Sequence, residues 1–191
     1  LLSREGVLYS NVRRFQHATL VACALLLFAS TCLANTTPKN IILMVGDGMG
    51  IGHITAARCG GPGCDGRLAM DKMPVTGLVL THPVGCLVTD SAAAATALAT
   101  GVKTRNGMVS VTPDGIRLRT ILELARDTGK STGLVSTKHI TDATPAAFVA
   151  HVPSRGQYFD IAGQMLASRV NVILGGGKRY FVPKSVDQEG R

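Results

Sequence analysis

The most constraining feature of this sequence is a stretch of nine residues, 88–96, which reads VTDSAAAAT. Alanine has the highest helix propensity, and Asp and Ser are preferred at helix N-termini, so a helix is predicted to begin at Asp90 and Ser91. Gly101 follows where such a helix would end. Free backbone N–H groups and the helix dipole favour an anion at this N-terminus, next to the Ser91 hydroxyl. Taken alone, Asp-Ser before alanines is also common as a simple helix cap.

The complete pattern is more particular than a helix cap. It resembles the active-site signature of the alkaline phosphatases: a β-branched residue, any residue, Asp-Ser, four small residues and Thr. The resemblance implies that Ser91 binds zinc and is the nucleophile that becomes phosphoserine. It also implies that Asp90 orients Arg155, which holds the substrate phosphate.

A second motif follows residues 40–45, which read NIILMV, a continuous apolar run typical of a strand buried on both faces. The run ends in GDGMG, where the glycines permit a tight turn around Asp47. A carboxylate at the end of a parallel strand suits zinc or magnesium, although Asp is also common in simple turns. The motif resembles the N-terminal metal motif of alkaline phosphatases, which implies that Asp47 bridges a zinc and the magnesium.

The third motif lies in residues 139–155. Asp142 and Thr144 are two residues apart and, in a non-helical segment, can bind one hard cation. The alternative is a helix N-terminus with Pro145 in its first turn. The segment resembles the magnesium-ligand region of bacterial-type alkaline phosphatases, which implies that Asp142 and Thr144 contribute to magnesium binding. Arg155 matches the substrate arginine of the family, whose guanidinium fork fits two phosphate oxygens. His151 is expected to pack in the core or to support a site residue rather than to be a ligand itself.

Short apolar runs alternate with segments of helical periodicity along the rest of the chain. Strands are predicted at 76–81, 85–89, 132–137 and 171–174, and helices at 51–58, 119–128 and from about 156 to 168. This alternation indicates an α/β fold with a parallel sheet covered on both faces. The resemblance implies a three-layer α/β/α sandwich around a mainly parallel sheet, incomplete at the C-terminus.

The N-terminal residues 1–34 are typical of a signal peptide. They combine a basic head with the apolar run 20–29 and a small residue, Ala34, before a cleavage site at Asn35. Residues 35–191 are then expected to form the N-terminal part of an alkaline phosphatase-like catalytic domain, periplasmic or secreted, with an uncleaved anchor as the alternative. In an exported protein Cys59 and Cys64 could form a local disulfide or remain reduced.

The combined motifs predict a metal-dependent phosphate monoester hydrolase that uses two zinc ions and one magnesium ion. The net charge of +8 suits anionic substrates, and no motif indicates specific nucleic-acid binding. The resemblance implies a homodimer at full length, without stable membrane insertion once the signal is removed. The chain starts at Leu1 and lacks the family's later zinc ligands, so we expect an inactive fragment. The alternatives are a phosphodiesterase or sulfatase of related fold and a non-catalytic exported phosphate-binding protein.

Overall fold

A computed structural model of the protein describes residues 38–183. The signal segment expected at 1–34 lies outside the described residues, so its cleavage remains a prediction. The chain divides into two units, Leu1–Val45 and Gly46–Arg191, and every helix and strand described below belongs to the second. Within residues 38–183, no helix has the length and apolar character needed to cross a bilayer.

Helices and strands alternate in the second unit. The helices are α1 (Ile51–Gly60), α2 (Ser91–Thr100), α3 (Ile121–Asp127), α4 (Ala143–Ala146) and α5 (Tyr158–Ala167), with 3-10 turns at Ala69–Lys72 and Lys178–Tyr180. The strands are β1 (Gly133–His139) and β2 (Val172–Gly176). The helices predicted from residues 51, 90, 119 and 156 onward are confirmed, and for α2 and α3 the cap side chains Asp90 and Thr120 mark where the helix begins.

The two strands form a parallel sheet in which Gly133 pairs with Val172 and Val135 pairs with Leu174. Because α4 and α5 lie between the strands in sequence, the arrangement confirms the α/β class with a parallel sheet. Leu134 is buried, but Val135 is 72% exposed and Leu174 is 57% exposed. Within residues 38–183 no element covers these two side chains, as expected for a sandwich of which this chain forms only a part.

Three predicted strands are absent from the described residues. The structure assigns no strand to residues 40–45, 76–81 or 85–89, and the side chains of Ile42, Leu78 and Val88 are largely exposed. These predictions are wrong because apolar and β-branched residues favour burial but do not supply a neighbouring strand. A strand also needs N–H and C=O partners along its length.

The core lies where α2 packs against α4, and small side chains make this contact close. Ala92, Ala95 and Ala99 are at most 2% exposed on one face of α2, and Ala143 and Ala146 are fully buried. The core also contains Val109, Leu122, Leu134, Ile140, Phe148, Val152, Ile161 and Met165. Close approach of α2 and α4 brings their N-termini, and hence the predicted site residues, into one region.

Candidate active site

Ser91 is the first residue of α2, as the sequence predicts. Asp90 caps the helix: its Oδ1 accepts a hydrogen bond of 2.9 Å from the Ala93 backbone N–H. The helix ends at Gly101, whose φ of 74° lies in the left-handed region that glycine adopts at low cost. Ser91 is only partly buried, so its hydroxyl remains accessible at the positive end of the helix.

Asp47 joins two hydroxyl side chains that are distant in sequence. The Ser91 hydroxyl donates to Asp47 Oδ1 and the Thr144 hydroxyl donates to Asp47 Oδ2, each over 2.8 Å. Asp47 lies in a turn with Gly48, whose φ is 69°. The turn thus delivers both carboxylate oxygens to the N-termini of α2 and α4, as expected for a shared ligand.

Arg155 lies between two of the predicted site carboxylates. Its Nη1 donates to Asp90 Oδ2 over 3.1 Å and its Nη2 donates to Asp142 Oδ1 over 3.0 Å. The side chain is 30% exposed. Each terminal nitrogen keeps a second N–H, and Nε has its own, so the guanidinium retains donors for an anion.

Asp142 serves as a helix cap and as an ion-pair partner. Its Oδ1 accepts from the Ala143 N–H, and its Oδ2 lies 2.6 Å from Lys138 Nζ. Burial alone would raise the pKa of Asp142, but the hydrogen bonds from Lys138, Ala143 and Arg155 outweigh it and lower the pKa to about 2. Asp142 is therefore an ionised carboxylate at every physiological pH.

The sequence left open whether Asp142 and Thr144 cap a helix or bind one cation together. The structure shows the cap: Asp142 precedes α4, and Pro145 lies within it. No hydrogen bond in the described residues joins Asp142 to Thr144. Instead, the Thr144 hydroxyl donates to Asp47, and Asp142 accepts from Arg155. The two side chains thus belong to adjacent parts of the site.

The turn at Asn106 and Gly107 connects Asp90 with Arg155. The Gly107 N–H donates to Asp90 Oδ2 over 3.0 Å, and the Gly107 carbonyl accepts from the Arg155 N–H over 2.7 Å. Asn106 Oδ1 accepts from the Asp90 N–H, and its Nδ2 donates to the Val88 carbonyl. The Asn-Gly pair is a turn signal that marks this position, but nothing local to it indicates these partners.

His151 is a packing residue, as expected. Its Nδ1 lies 2.9 Å from the Ser110 carbonyl oxygen and its Nε2 lies 3.1 Å from Glu123 Oε1. Burial alone would raise the pKa of Glu123, but hydrogen bonds from the Thr120 N–H, Arg117 and His151 lower it overall. Thr120, Glu123 and His151 form a hydrogen-bonded group, the His151 cluster, which supports the start of α3. No hydrogen bond of the described residues joins this cluster to the side chain of Ser91 or Arg155.

The oxygen-rich donor set around Asp47 fits part of a metal site. Asp47, Ser91 and Thr144 bring a carboxylate and two hydroxyls together, a chemistry that suits a hard cation such as Mg²⁺. Zinc sites are built mainly from His, Cys, Asp and Glu. Within residues 38–183 no three His, Cys, Asp or Glu side chains lie close enough together to hold a metal ion, so the described residues fit part of the expected set only.

Three cysteines lie within residues 38–183. Cys59 at the end of α1 and Cys64 in the following loop form a disulfide, which resolves the alternative that the sequence left open. Cys86 is a free, exposed thiol.

The chain resembles known phosphatases over most of its length. A sequence model of the alkaline phosphatase family matches residues 38–190. Streptomycin-6-phosphate phosphatase of Streptomyces griseus is 43% identical over 186 residues, which cover 83% of this chain and 41% of that protein. Alkaline phosphatase of Escherichia coli (strain K12) is 43% identical over 175 residues, covering 78% of this chain and 37% of the relative.

Solved structures of similar proteins agree with these matches. Alkaline phosphatase from the Antarctic bacterium TAB5 aligns with a TM-score of 0.72 and 38% identity, over 76% of this chain and 42% of that one. A variant of the TAB5 enzyme with Mg bound aligns with a TM-score of 0.73 and 38% identity, over 78% and 42% of the two chains. The present chain thus spans about two-fifths of the length of the relatives and structures that it matches.

Proposed function

Because the chain belongs to the alkaline phosphatase family, we propose that the whole protein hydrolyses phosphate monoesters through a phosphoserine intermediate. One observation carries the proposal: a single carboxylate, Asp47, accepts hydrogen bonds from both Ser91 and Thr144. Capping of α2 and α4 does not account for the contacts of Ser91 and Thr144 with Asp47. A nucleophile activated beside a cation-binding carboxylate does account for them.

The proposed metal site is built around Asp47, with Ser91 and Thr144 as the other direct contributors from this chain. Asp142, whose oxygens are held by Lys138, Ala143 and Arg155, would contribute through a bound water. Two zinc ions and one magnesium ion, expected from the resemblance, would supply Lewis-acid stabilisation of negative charge on oxygen. In this proposal the remaining ligands come from other residues of the whole protein.

Ser91 performs the covalent step. Its Oγ attacks phosphorus in line, a new O–P bond forms, and the bond to the leaving-group oxygen breaks. The Ser91 hydroxyl donates to Asp47 Oδ1 over 2.8 Å, so on attack its proton leaves along this hydrogen bond, while a proton from solvent converts the leaving group to the alcohol. Water then attacks phosphorus and the bond to Ser91 Oγ breaks. One proton of the water restores the Ser91 hydroxyl, and phosphate is released.

Arg155 binds the non-bridging oxygens of the phosphoryl group. Asp90 and Asp142 each occupy one N–H of the guanidinium, so the group is oriented before substrate arrives. The Asn106–Gly107 turn fixes Asp90 and the Arg155 backbone relative to each other. Such preorganisation stabilises the charge of the transferring phosphoryl group without reorganisation at the moment of reaction.

The proposed phosphatase activity is tested with the product of the complete reading frame, supplied with zinc and magnesium. We expect turnover of p-nitrophenyl phosphate and, at acid pH, a phosphorylated Ser91 that mass spectrometry identifies. Ser91→Ala should remove the adduct. Stoichiometric phosphate binding without turnover would favour a non-catalytic phosphate-binding protein. Preference for bis-p-nitrophenyl phosphate or p-nitrophenyl sulfate would favour a phosphodiesterase or a sulfatase.

We further propose that residues 1–34 are a cleaved export signal and that the mature protein, from residue 35, is periplasmic or secreted. The Cys59–Cys64 disulfide supports this proposal, because disulfides persist in oxidising compartments. The homodimer implied by the resemblance remains a prediction for the whole protein, and size-exclusion chromatography with light scattering tests it.

A further inference from the structure

A row of alternating charges runs through the candidate site. Lys138 Nζ lies 2.6 Å from Asp142 Oδ2, and the other oxygen of Asp142 accepts from Arg155 Nη2 over 3.0 Å. Arg155 Nη1 in turn lies 3.1 Å from Asp90 Oδ2. Three of these residues are predicted site residues, whereas no motif or resemblance pointed to Lys138.

Lys138 and Asp142 differ in their surroundings. Lys138 is the penultimate residue of β1 and its side chain is 67% exposed, whereas the side chain of Asp142 is 8% exposed. The buried carboxylate is held in place by the Ala143 N–H and by Arg155. The lysine therefore reaches from the surface to the one oxygen of Asp142 that those two donors leave free.

The contact between Lys138 and Asp142 changes the electrostatic charge around Arg155. Arg155 carries one positive charge between two carboxylates, so Asp90, Arg155 and Asp142 together contribute a net charge of −1, which weakens the attraction of the site for a phosphate dianion. Lys138 offsets this contribution. It also occupies Asp142 Oδ2, and so prevents Asp142 from taking both terminal nitrogens of Arg155 in a bidentate pair.

We infer that Lys138 is a positioning residue for phosphate: by binding Asp142 it offsets that carboxylate's charge and leaves the Arg155 N–H groups available to the substrate. The inference rests on the proposed function, since it assigns the phosphate to Arg155. Lys138 acts through Asp142, and no contact between Lys138 and the substrate is needed.

A graded set of variants tests the inference in the product of the complete reading frame, saturated with zinc and magnesium. Lys138→Arg keeps the charge, Lys138→Met removes it and Lys138→Glu reverses it. The measurements are the inhibition constant of inorganic phosphate, with KM and kcat for p-nitrophenyl phosphate. For Lys138→Met we expect phosphate inhibition and KM to weaken about two- to five-fold, the range of exposed ion pairs, with a smaller change in kcat.

The order and the salt dependence distinguish charge balance from simple support of the fold. Phosphate affinity should fall from wild type and Lys138→Arg, through Lys138→Met, to Lys138→Glu. The differences should shrink at high ionic strength, because salt screens exposed charges. The matched control is Lys72→Met, which removes one positive charge from an exposed lysine in the Ala69–Lys72 turn; its inhibition constant should stay at the wild-type value.

Two results overturn the inference. One is phosphate affinity that is unchanged across the Lys138 series, including the case in which only the melting temperature falls. The other is an equal loss of affinity in Lys72→Met, which would show a general effect of net charge. Absence of turnover in the wild-type protein would instead contradict the proposed function, so the two failures are distinguishable.

Discussion

The Ser91 hydroxyl donates a hydrogen bond of 2.8 Å to Asp47 Oδ1, across 44 residues of sequence. The opposite oxygen of Asp47 accepts from Thr144, 97 residues further along the chain from Asp47. One carboxylate thus connects the N-terminus of α2 with the N-terminus of α4. This connection links the nucleophile to the cation-binding side chains in the function proposed above.

Asp47→Asn should weaken metal binding and lower turnover together, because an amide is neutral and offers one acceptor oxygen in place of two. Metal content by mass spectrometry and steady-state rates measure both effects. Asp65→Asn, at an exposed loop position, is the control and should leave both unchanged. Wild-type metal content in the Asp47→Asn variant would contradict the prediction and would mean that Asp47 only forms the turn.

Arg155→Ala should raise KM and weaken inhibition by phosphate without unfolding the protein. Loss of hydrogen bonds to a charged group costs about 1.5–3 kcal/mol, or roughly 10- to 100-fold in affinity. Arg155→Lys should recover part of the loss, since it keeps the charge but not the planar fork. Unchanged phosphate inhibition in Arg155→Ala would place the arginine outside the site.

Asp90→Ala should lower both stability and phosphate affinity, since Asp90 caps α2 and holds Arg155. Loss of an N-cap costs about 0.5–2 kcal/mol. The comparison is Thr120→Ala, which removes the cap of α3 in the His151 cluster. Thermal unfolding should show a loss in both variants, but only Asp90→Ala should change phosphate inhibition; equal inhibition constants would contradict the link between Asp90 and Arg155.

The acid stability of the metal-free protein should depend on Asp142. Its pKa is lowered from 3.8 to about 2 on folding, so the unfolded chain binds the proton more tightly. The ionised carboxylate therefore stabilises the fold above pH 3.8, and this contribution is lost as the pH falls toward about 2. Denaturant unfolding between these pH values should show a shallower pH dependence for Asp142→Asn than for wild type, and parallel curves would contradict the shift.

Export of the protein should leave two covalent signatures. N-terminal sequencing should begin at or near Asn35 if the signal peptide is cleaved. A tryptic peptide of residues 59–67 should be lighter by about 2 Da before reduction, because the Cys59–Cys64 disulfide lacks two hydrogens. An intact hydrophobic N-terminus in the membrane fraction would contradict cleavage.

The sequence by itself determined the features that depend on neighbours within one helical turn. Asp90 caps α2 through Ala93, and Thr120 caps α3 through Glu123, so both contacts span three residues. Gly101 ends α2 in the left-handed region. Such contacts follow from side-chain chemistry and spacing alone, and the helices were predicted accordingly.

The tertiary structure alone decided which distant groups meet. The strands expected at 76–81 and 85–89 do not form in the described residues, because pairing requires a neighbour that composition cannot supply. Motifs pointed to Asp142 and Arg155, but nothing near Lys138 in sequence showed that Asp142 would be shared between lysine and arginine. Only the packing of α4 against both α2 and β1 brings these charges within hydrogen-bonding distance.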